Sequence, residues 1–377
     1  MRRLTKTLAC LLLVLTGHLM AKEEPKGQVK LLTIGNSFAN DATAYLPAMA
    51  KAANKDLLLF RANLGGCTFE RHARHMKAFE LNPADPQGSP YRGSVIHSLA
   101  DDVSAPKIAS GGNEVDPKSK EVPKNFSLRQ ALELEKWDYV TIQQVSNTSF
   151  QFETFEPYAG EIIAYIRKYA PTAEILIHQT WAYREDCPLY KDGFDQQAMY
   201  DGLMAAYGQL AEKYSLRMIP VGTAMQEARK LPRWTFKYPD PAFNYKEPLP
   251  GTSPVQSGSL NVGWTVKKTL VPVEEPAPVA EPAPAGQPAP AAEPAAESAT
   301  IVKAEPKKVE KLVASLDFKH CNAEGRYLGA SVFYGFLFGG KVADNTFVPP
   351  VVTPEDAAVL RGIADQVLVN VPAPALK

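Results

Sequence analysis

Short apolar runs that alternate with helical patterns constrain this chain more than any other feature of its sequence. Five such runs occur, at residues 29–34, 57–62, 139–142, 174–178 and 217–220. Apolar residues at helical spacing lie between and after them, for example at 43–54, 161–169 and 195–214. Continuous apolar strands separated by helices are typical of a parallel sheet that is covered on both faces. The sequence therefore predicts an α/β fold with five strands, closed by helices over 324–338 and 354–368.

The N-terminus has the pattern of a secretory signal peptide. Basic residues at positions 2, 3 and 6 precede an apolar run over 8–15 and small residues that end at Ala21. The run is too short to span a bilayer, so we assign residues 1–21 to a cleaved signal. Cys10 lies at the start of the run, which argues against a lipoprotein anchor. We expect a secreted or periplasmic protein without a membrane span in its mature form.

A second segment interrupts the domain itself. Residues 272–294 read PVEEPAPVAEPAPAGQPAPAAEP, and charged residues continue to Lys311. Frequent proline removes backbone donors and favours an extended, solvated chain. We predict a disordered Pro/Ala-rich insertion over 269–311, which divides one domain into residues 27–268 and 312–372. A passive surface insertion and a cell-wall spacer or docking strand both remain open as its role.

Composition excludes two broad classes of protein. The chain of 377 residues is 45% hydrophobic and 22% charged, which is a globular composition rather than a disordered one. Its 41 basic and 41 acidic residues give a formal net charge of +0. A nucleic-acid partner is not expected, because such binding requires a basic surface.

The loops after the first and second strands carry the first candidate residues, because ligands of open parallel sheets bind beyond the carboxyl ends of the strands. Ser37 follows the first strand, where its hydroxyl would lie at the sheet edge and its amide near a helix N-terminus. Taken alone, such a serine is better explained as a helix cap. Gly65 and Gly66 follow the second strand and allow a close approach of the backbone to a ligand.

Two further motifs are ambiguous in isolation. Gln143 and Gln144 make an abrupt polar break after the third strand, and a glutamine amide can donate to an oxyanion. Asp317 precedes His320 by three residues, so that its carboxylate can accept from the imidazole and leave the other ring nitrogen free as a base.

Together, and in this order, these motifs resemble the SGNH (GDSL-type) hydrolase superfamily, within a poorly characterised branch of secreted bacterial proteins. The resemblance implies a flavodoxin-like three-layer α/β/α sandwich with a five-stranded, mainly parallel sheet. It matches Ser37 to the nucleophile, His320 to the general base and Asp317 to the orienting carboxylate. It also matches the amides of Ser37 and of Gly65 or Gly66 to oxyanion donors, and implies no metal and no cofactor. The motifs that carry it are IGNSF at 34–38, NLGG at 63–66, WDYVTIQQ at 137–144 and HQTWAYR at 178–184.

The sequence departs from the superfamily pattern in two places. The usual Gly-Asp-Ser is Gly35-Asn36-Ser37, which changes a supporting residue and keeps the nucleophile. The usual Gly-x-Asn-Asp block is absent, so Gln144, or with less support Gln143, would have to supply the third oxyanion donor. Loss of one such donor costs about a hundredfold in rate or more.

Several polar and aromatic residues are candidate substrate contacts. Asn36, Gln143, Arg71 and His72 lie beside the predicted nucleophile and glycine loops, whereas Gln179 and Trp181 lie in a polar-aromatic run suited to stacking on sugars. A packed loop explains that last run equally well. His72 and His75 have helical spacing, but no third ligand is near them, and we expect no metal.

Three cysteines remain after the signal peptide is removed: Cys67, Cys187 and Cys321. A Cys67–Cys321 disulfide and three reduced, partly buried thiols are both open.

These observations predict a secreted serine esterase that hydrolyses a small acyl ester, with an O-acetyl group on a carbohydrate as the expected target. The partner would then be a small-molecule or polysaccharide ester. The main alternative is a non-catalytic glycan-binding or envelope protein on the same scaffold. An acyl transferase that acts between glycans is a third option.

Overall fold

The computed structural model describes residues 27–92, 95–99, 125–237, 240–272, 308–369 and 371. The predicted signal peptide, and the predicted insertion between residues 273 and 307, lie outside the described residues. The domain boundaries based on those two segments remain predictions.

The central sheet contains all five predicted strands. Five strands pair in parallel, and a sixth, β3, pairs antiparallel with β2 at the edge. The order is β3-β2-β1-β4-β5-β6, so the parallel strands follow the flavodoxin-like order and the predicted fold class is confirmed. The strands are β1 (Val29–Gly35), β2 (Leu57–Asn63), β3 (Val95–His97), β4 (Tyr139–Ile142), β5 (Glu174–His178) and β6 (Arg217–Ile219).

The helices form two groups, as a three-layer sandwich requires. Helices α1, α2, α7 and α9 contact α8, whereas α3 contacts α4 and α5. Every residue of α8 from Gly325 to Phe338 is buried. Within the described ranges, no helix combines the length and apolar character needed to cross a bilayer. The helices are α1 (Ser37–Ala42), α2 (Leu46–Ala52), α3 (Phe69–Leu81), α4 (Leu128–Glu133), α5 (Tyr158–Tyr169), α6 (Gln196–Tyr214), α7 (Val221–Arg229), α8 (Ala323–Phe338) and α9 (Pro354–Leu368).

A long antiparallel hairpin, separate from the central sheet, was not predicted. It consists of β7 (Asn261–Pro272) and β8 (Lys308–Cys321), and Pro272 pairs with Lys308 at its far end. The two strands therefore include residues 269–272 and 308–311, which were assigned to the insertion. These flanks contain threonine, valine and leucine, which favour strands over a solvated coil. Because β8 ends at Cys321, this hairpin brings the Asp317 and His320 motif to the main domain.

Candidate active site

The turn after β1 presents Ser37 as the first residue of α1. Asn36 caps that helix, since its Oδ1 accepts a hydrogen bond from the Phe38 amide at 3.1 Å. Asn36 and Phe38 are both buried, whereas Ser37 keeps partial exposure. The Ser37 hydroxyl lies 2.8 Å from Nε2 of His320. A residue near the start of the chain is thus in hydrogen-bond contact with one near its end.

The His320 ring is oriented by Asp317. Its Nδ1 lies 2.8 Å from Oδ2 of that carboxylate, while Oδ1 accepts from the backbone amides of His320 at 3.0 Å and Lys319 at 3.3 Å. Burial raises the pKa of Asp317, but the His320 ring, its charge and the two amides outweigh burial and lower that pKa to about 2. An ionised Asp317 favours the tautomer with its proton on Nδ1, which leaves the Nε2 lone pair directed at Ser37.

Buried polar contacts fix the His320 loop to the nucleophile helix. The Cys321 amide donates to Oδ2 of Asp41 in α1 at 2.8 Å. Oδ1 of Asp41 forms an ion pair with Nε of Arg326 in α8 at 2.9 Å, and both side chains are almost completely buried. The indole of Trp181 stacks on Phe38 at 4.2 Å between ring centroids and donates to the Lys319 carbonyl at 2.9 Å. These contacts fix the positions of Ser37 and His320 relative to each other.

A cavity of about 440 Å³ opens over the Ser37 and His320 pair. An added Cβ at Gly65 or Gly66 would meet nothing within 4 Å, so the glycine backbone is open on that side. Two exposed polar residues, Asn147 and Lys319, also line the cavity, and the sequence motifs did not mark either of them as a candidate. The lining residues are Asn36, Ser37, Phe38, Gly65, Gly66, Val145, Ser146, Asn147, Tyr183, Leu189, Phe318, Lys319 and His320.

The structure does not bring Gln144, the predicted third oxyanion donor, to the cavity. Its Nε2 donates to the Thr154 carbonyl at 2.8 Å, and its Oε1 accepts from the amides of Phe69 and Val145, each at 2.9 Å. The side chain is buried and does not line the cavity. Gln144 instead fixes the loop after β4 to the start of α3. Asn147 is the side-chain amide that the same loop places at the cavity.

Four of the predicted substrate contacts have buried side chains with internal partners. His72 contacts the Tyr91 hydroxyl at 2.7 Å and the Gly35 carbonyl at 3.1 Å, and burial lowers its pKa to about 3. Gln179 accepts from the amide and hydroxyl of Thr223. Trp181 and Gln143 are likewise buried. The structure therefore does not bring the predicted substrate contacts to the cavity at these four positions, which are His72, Gln179, Trp181 and Gln143.

Asn36 and Arg71, the other two predicted substrate contacts, lie at or beside the cavity. Asn36 belongs to the cavity lining, but its side chain is committed to internal hydrogen bonds. Arg71 donates to the Gly65 carbonyl at 3.3 Å and to Nε2 of His75 at 3.3 Å, beside the cavity but outside its lining. Arg71 thus contacts the glycine turn and not the cavity.

The three cysteines are free thiols. Cys67, Cys187 and Cys321 are all buried, which contradicts the Cys67–Cys321 disulfide and leaves the reduced alternative. Burial raises the pKa of Cys67 to about 12, so this thiol is not a nucleophile at neutral pH.

Comparison with known proteins bears on the fold. Residues 112–232 match the family described as a domain of unknown function, DUF4886. A DUF4886 family protein from Bacteroides uniformis is 20% identical, with a TM-score of 0.58 over 93% of this chain and 98% of that one. The comparison with curated protein sequences found no match.

Two enzyme-like structures are more distant. A putative SGNH hydrolase from Slackia heliotrinireducens is 20% identical, with a TM-score of 0.33 over 53% of this chain and 83% of that one. Axe2, an acetylxylan esterase from Geobacillus stearothermophilus, is 14% identical, with a TM-score of 0.30 over 54% and 80%. The likeness to the Bacteroides uniformis protein, together with the sheet order, shows a shared α/β fold.

Proposed function

We propose that this protein is an exported serine esterase that hydrolyses a small acyl ester. The observation that carries the proposal is the hydrogen-bonded series from Ser37 through His320 to Asp317, with 2.8 Å at each step, at the mouth of a cavity. Hydroxyl, imidazole and carboxylate in this order form the catalytic unit of serine hydrolases. Export is proposed from the signal-like N-terminus.

In the proposed mechanism, Ser37 Oγ attacks the ester carbonyl carbon while His320 Nε2 accepts the hydroxyl proton. Asp317 stabilises the resulting imidazolium, and backbone amides of Ser37 and of Gly65 or Gly66 stabilise the oxyanion. The carbon–oxygen bond to the alcohol breaks as His320 returns the proton to it. A water then attacks the acyl-enzyme, and its proton passes through His320 to Ser37. The products are a carboxylic acid and an alcohol.

We assign the third oxyanion donor to the side chain of Asn147 in place of Gln144. Asn147 lines the cavity, follows β4 as the superfamily's third block does, and makes no hydrogen bond to any other described residue. An uncommitted amide at this edge is free to donate when an oxyanion develops.

The cavity supports a small acyl group on a polar alcohol. Phe38, Val145 and Phe318 supply apolar surface, whereas Asn147 and Lys319 supply polar contacts. A volume of about 440 Å³ accommodates a short acyl chain together with one sugar-sized alcohol. We therefore propose an O-acetyl ester of a carbohydrate as the substrate.

Hydrolysis of p-nitrophenyl acetate, compared with butyrate and octanoate esters, tests the proposal. We expect the acetate to be preferred and Ser37→Ala to abolish turnover and labelling by a fluorophosphonate. Ser253→Ala is a matched control, because that serine is exposed and outside the cavity lining. Turnover that persists in Ser37→Ala would refute the assignment of the nucleophile.

A glycan-binding protein without hydrolytic activity is the second candidate. The internal hydrogen bonds of Gln144 favour it, because this glutamine, the donor predicted from the sequence, does not reach the cavity. Glycan binding that is unchanged in Ser37→Ala, together with no fluorophosphonate labelling of the wild type, would support this candidate over the esterase.

A further inference from the structure

Asn36, Gln143 and His178 form one buried chain of hydrogen bonds beneath the nucleophile turn. Nδ1 of His178 lies 2.6 Å from Oε1 of Gln143, and Nε2 of Gln143 lies 2.9 Å from Oδ1 of Asn36. Nδ2 of Asn36 then donates to the Cys67 carbonyl at 3.2 Å. All three side chains are at most 1% exposed. The chain connects the ends of β5, β4 and β1 to the turn after β2.

Donor and acceptor identities fix the direction of every bond in this chain. Oδ1 of Asn36 must accept, because the Phe38 amide can only donate to it. The Nδ2 group of Asn36 then faces the Cys67 carbonyl, and Gln143 uses Nε2 toward Asn36. Its Oε1 is left to accept from a proton on Nδ1 of His178. Burial lowers the pKa of His178 to about 3, which agrees with a neutral ring.

The Cys67 carbonyl is the link to the glycine backbone. The Cys67 amide donates to the Leu64 carbonyl at 3.1 Å and closes a turn that contains Gly65 and Gly66. Anchoring this turn through Cys67 places the glycine amides relative to Ser37. An added Cβ on Gly35 would lie 2.8 Å from Cγ of Gln143, so the glutamine also packs directly against the end of β1.

Asn36 and Gln143 lie at the two places where the sequence departs from the SGNH motifs, and the hydrogen-bonding groups of the two side chains match each other. An aspartate at position 36 can accept from Phe38 but cannot donate to the Cys67 carbonyl. A side chain at position 143 must donate to Asn36 and accept from His178, which an amide does and a carboxylate does not. We propose that Asn36 and Gln143 act as a pair of positioning residues that set the glycine turn of the oxyanion hole. This inference rests on the proposed esterase function.

Asn36→Asp and Gln143→Met test the proposal through kinetics. Each variant should lower kcat about tenfold to a hundredfold with KM changed less than about threefold, because donors are displaced only where the oxyanion forms. Gln226→Met is the matched control. Gln226 is a buried glutamine bonded to Gln196 and Gln197, outside the cavity lining, and its loss should leave kcat unchanged.

Hydrogen exchange provides a measurement that does not depend on activity. Amides in the 63–68 segment should exchange faster in Asn36→Asp and in Gln143→Met than in the wild type or Gln226→Met. Unchanged exchange there, or wild-type kcat in both test variants, would overturn the positioning role while leaving the esterase intact. Absence of fluorophosphonate labelling in the wild type would instead overturn the esterase proposal. If Asn36→Asp does not fold, Gln143→Met alone decides between these outcomes.

Discussion

The buried ion pair between Asp41 and Arg326 provides a direct test of how the two halves of the site are held together. Asp41 lies on the helix that begins at Ser37, and its Oδ2 accepts from the amide that follows His320. Its other oxygen lies 2.9 Å from Nε of Arg326, and the two side chains are 1% and 2% exposed. Asp41→Asn keeps a carbonyl oxygen for the Cys321 amide, removes the negative charge and places an NH2 donor, in place of an acceptor, beside the Arg326 guanidinium.

The expected loss of stability comes from the positive charge of Arg326, which stays buried after the substitution. A guanidinium without its carboxylate partner in a buried site destabilises a protein by about 3–5 kcal/mol. That is a large fraction of the roughly 5–15 kcal/mol that stabilises a typical domain. Urea unfolding, followed by tryptophan fluorescence, would measure the change in free energy of unfolding. We expect the double variant Asp41→Asn/Arg326→Met to recover most of the loss, because it removes both charges.

An exposed ion pair supplies the control. Lys77 and Glu161 are 2.8 Å apart, with side chains 63% and 32% exposed, so Lys77→Met should cost less than about 1 kcal/mol. A loss below about 1 kcal/mol in Asp41→Asn would refute the argument that this buried pair stabilises the junction. A double variant that is less stable than Asp41→Asn would refute it as well.

Three further predictions concern Asp317 and two residues that line the cavity. The pKa of Asp317 in the folded state, about 2, lies below its ordinary 3.8. The ionised carboxylate therefore contributes about 2 kcal/mol to the free energy of unfolding above pH 4, and this contribution is lost as the pH falls toward 2. Measurements of stability against pH should show this loss in the wild type and not in Asp317→Asn. Asn147→Ala should lower kcat for p-nitrophenyl acetate about a hundredfold, and an effect below about threefold would contradict its role as a donor. Lys319 lines the cavity and forms no ion pair with any described residue, so its charge is available to a substrate. Lys319→Met should therefore raise KM about threefold to fivefold for acetylated sugars that carry a carboxylate. The KM for neutral acetylated sugars should stay unchanged. An equal effect on both kinds of sugar would contradict an electrostatic role.

The sheet was predictable because its signal is local. The five parallel strands are apolar runs, and helices of sufficient length separate most of them, so composition and periodicity were enough to identify them. β3 was missed because Val95–His97 is three residues long and shows no periodic pattern. The hairpin was missed because Pro272 and its proline-rich continuation obscured the strand residues before it. Pro272 and Lys308 pair across the predicted insertion, so no local pattern in the sequence indicates their pairing.

The site shows the same division between local and non-local information. The motifs identified Ser37, Asp317 and His320, and the structure brings those three side chains together. The choice between Gln144 and Asn147 depends on which side of the loop faces the cavity, and residue type carries no information about that. Trp181 lies in an aromatic run of the kind that stacks on sugars, yet its indole packs against Phe38. Aromatic residues occur both in buried cores and at the edges of binding sites, so the sequence does not distinguish the two.

The register of the hairpin makes the role of the interruption testable. β7 ends at Pro272 and β8 begins at Lys308, and these residues pair with each other, so a two-residue Asn-Gly turn can replace residues 273–307. If the replaced segment is only a connection, esterase activity should stay within about twofold of the wild type. The free energy of unfolding should rise by about 2 kcal/mol, because a shorter loop costs less entropy to close. Replacement by a Gly/Ser linker of unchanged length is the matched control. A loss of activity in the shortened protein alone would mean that the site needs a long connection, and a loss in both would mean that the native segment contributes residues to substrate binding.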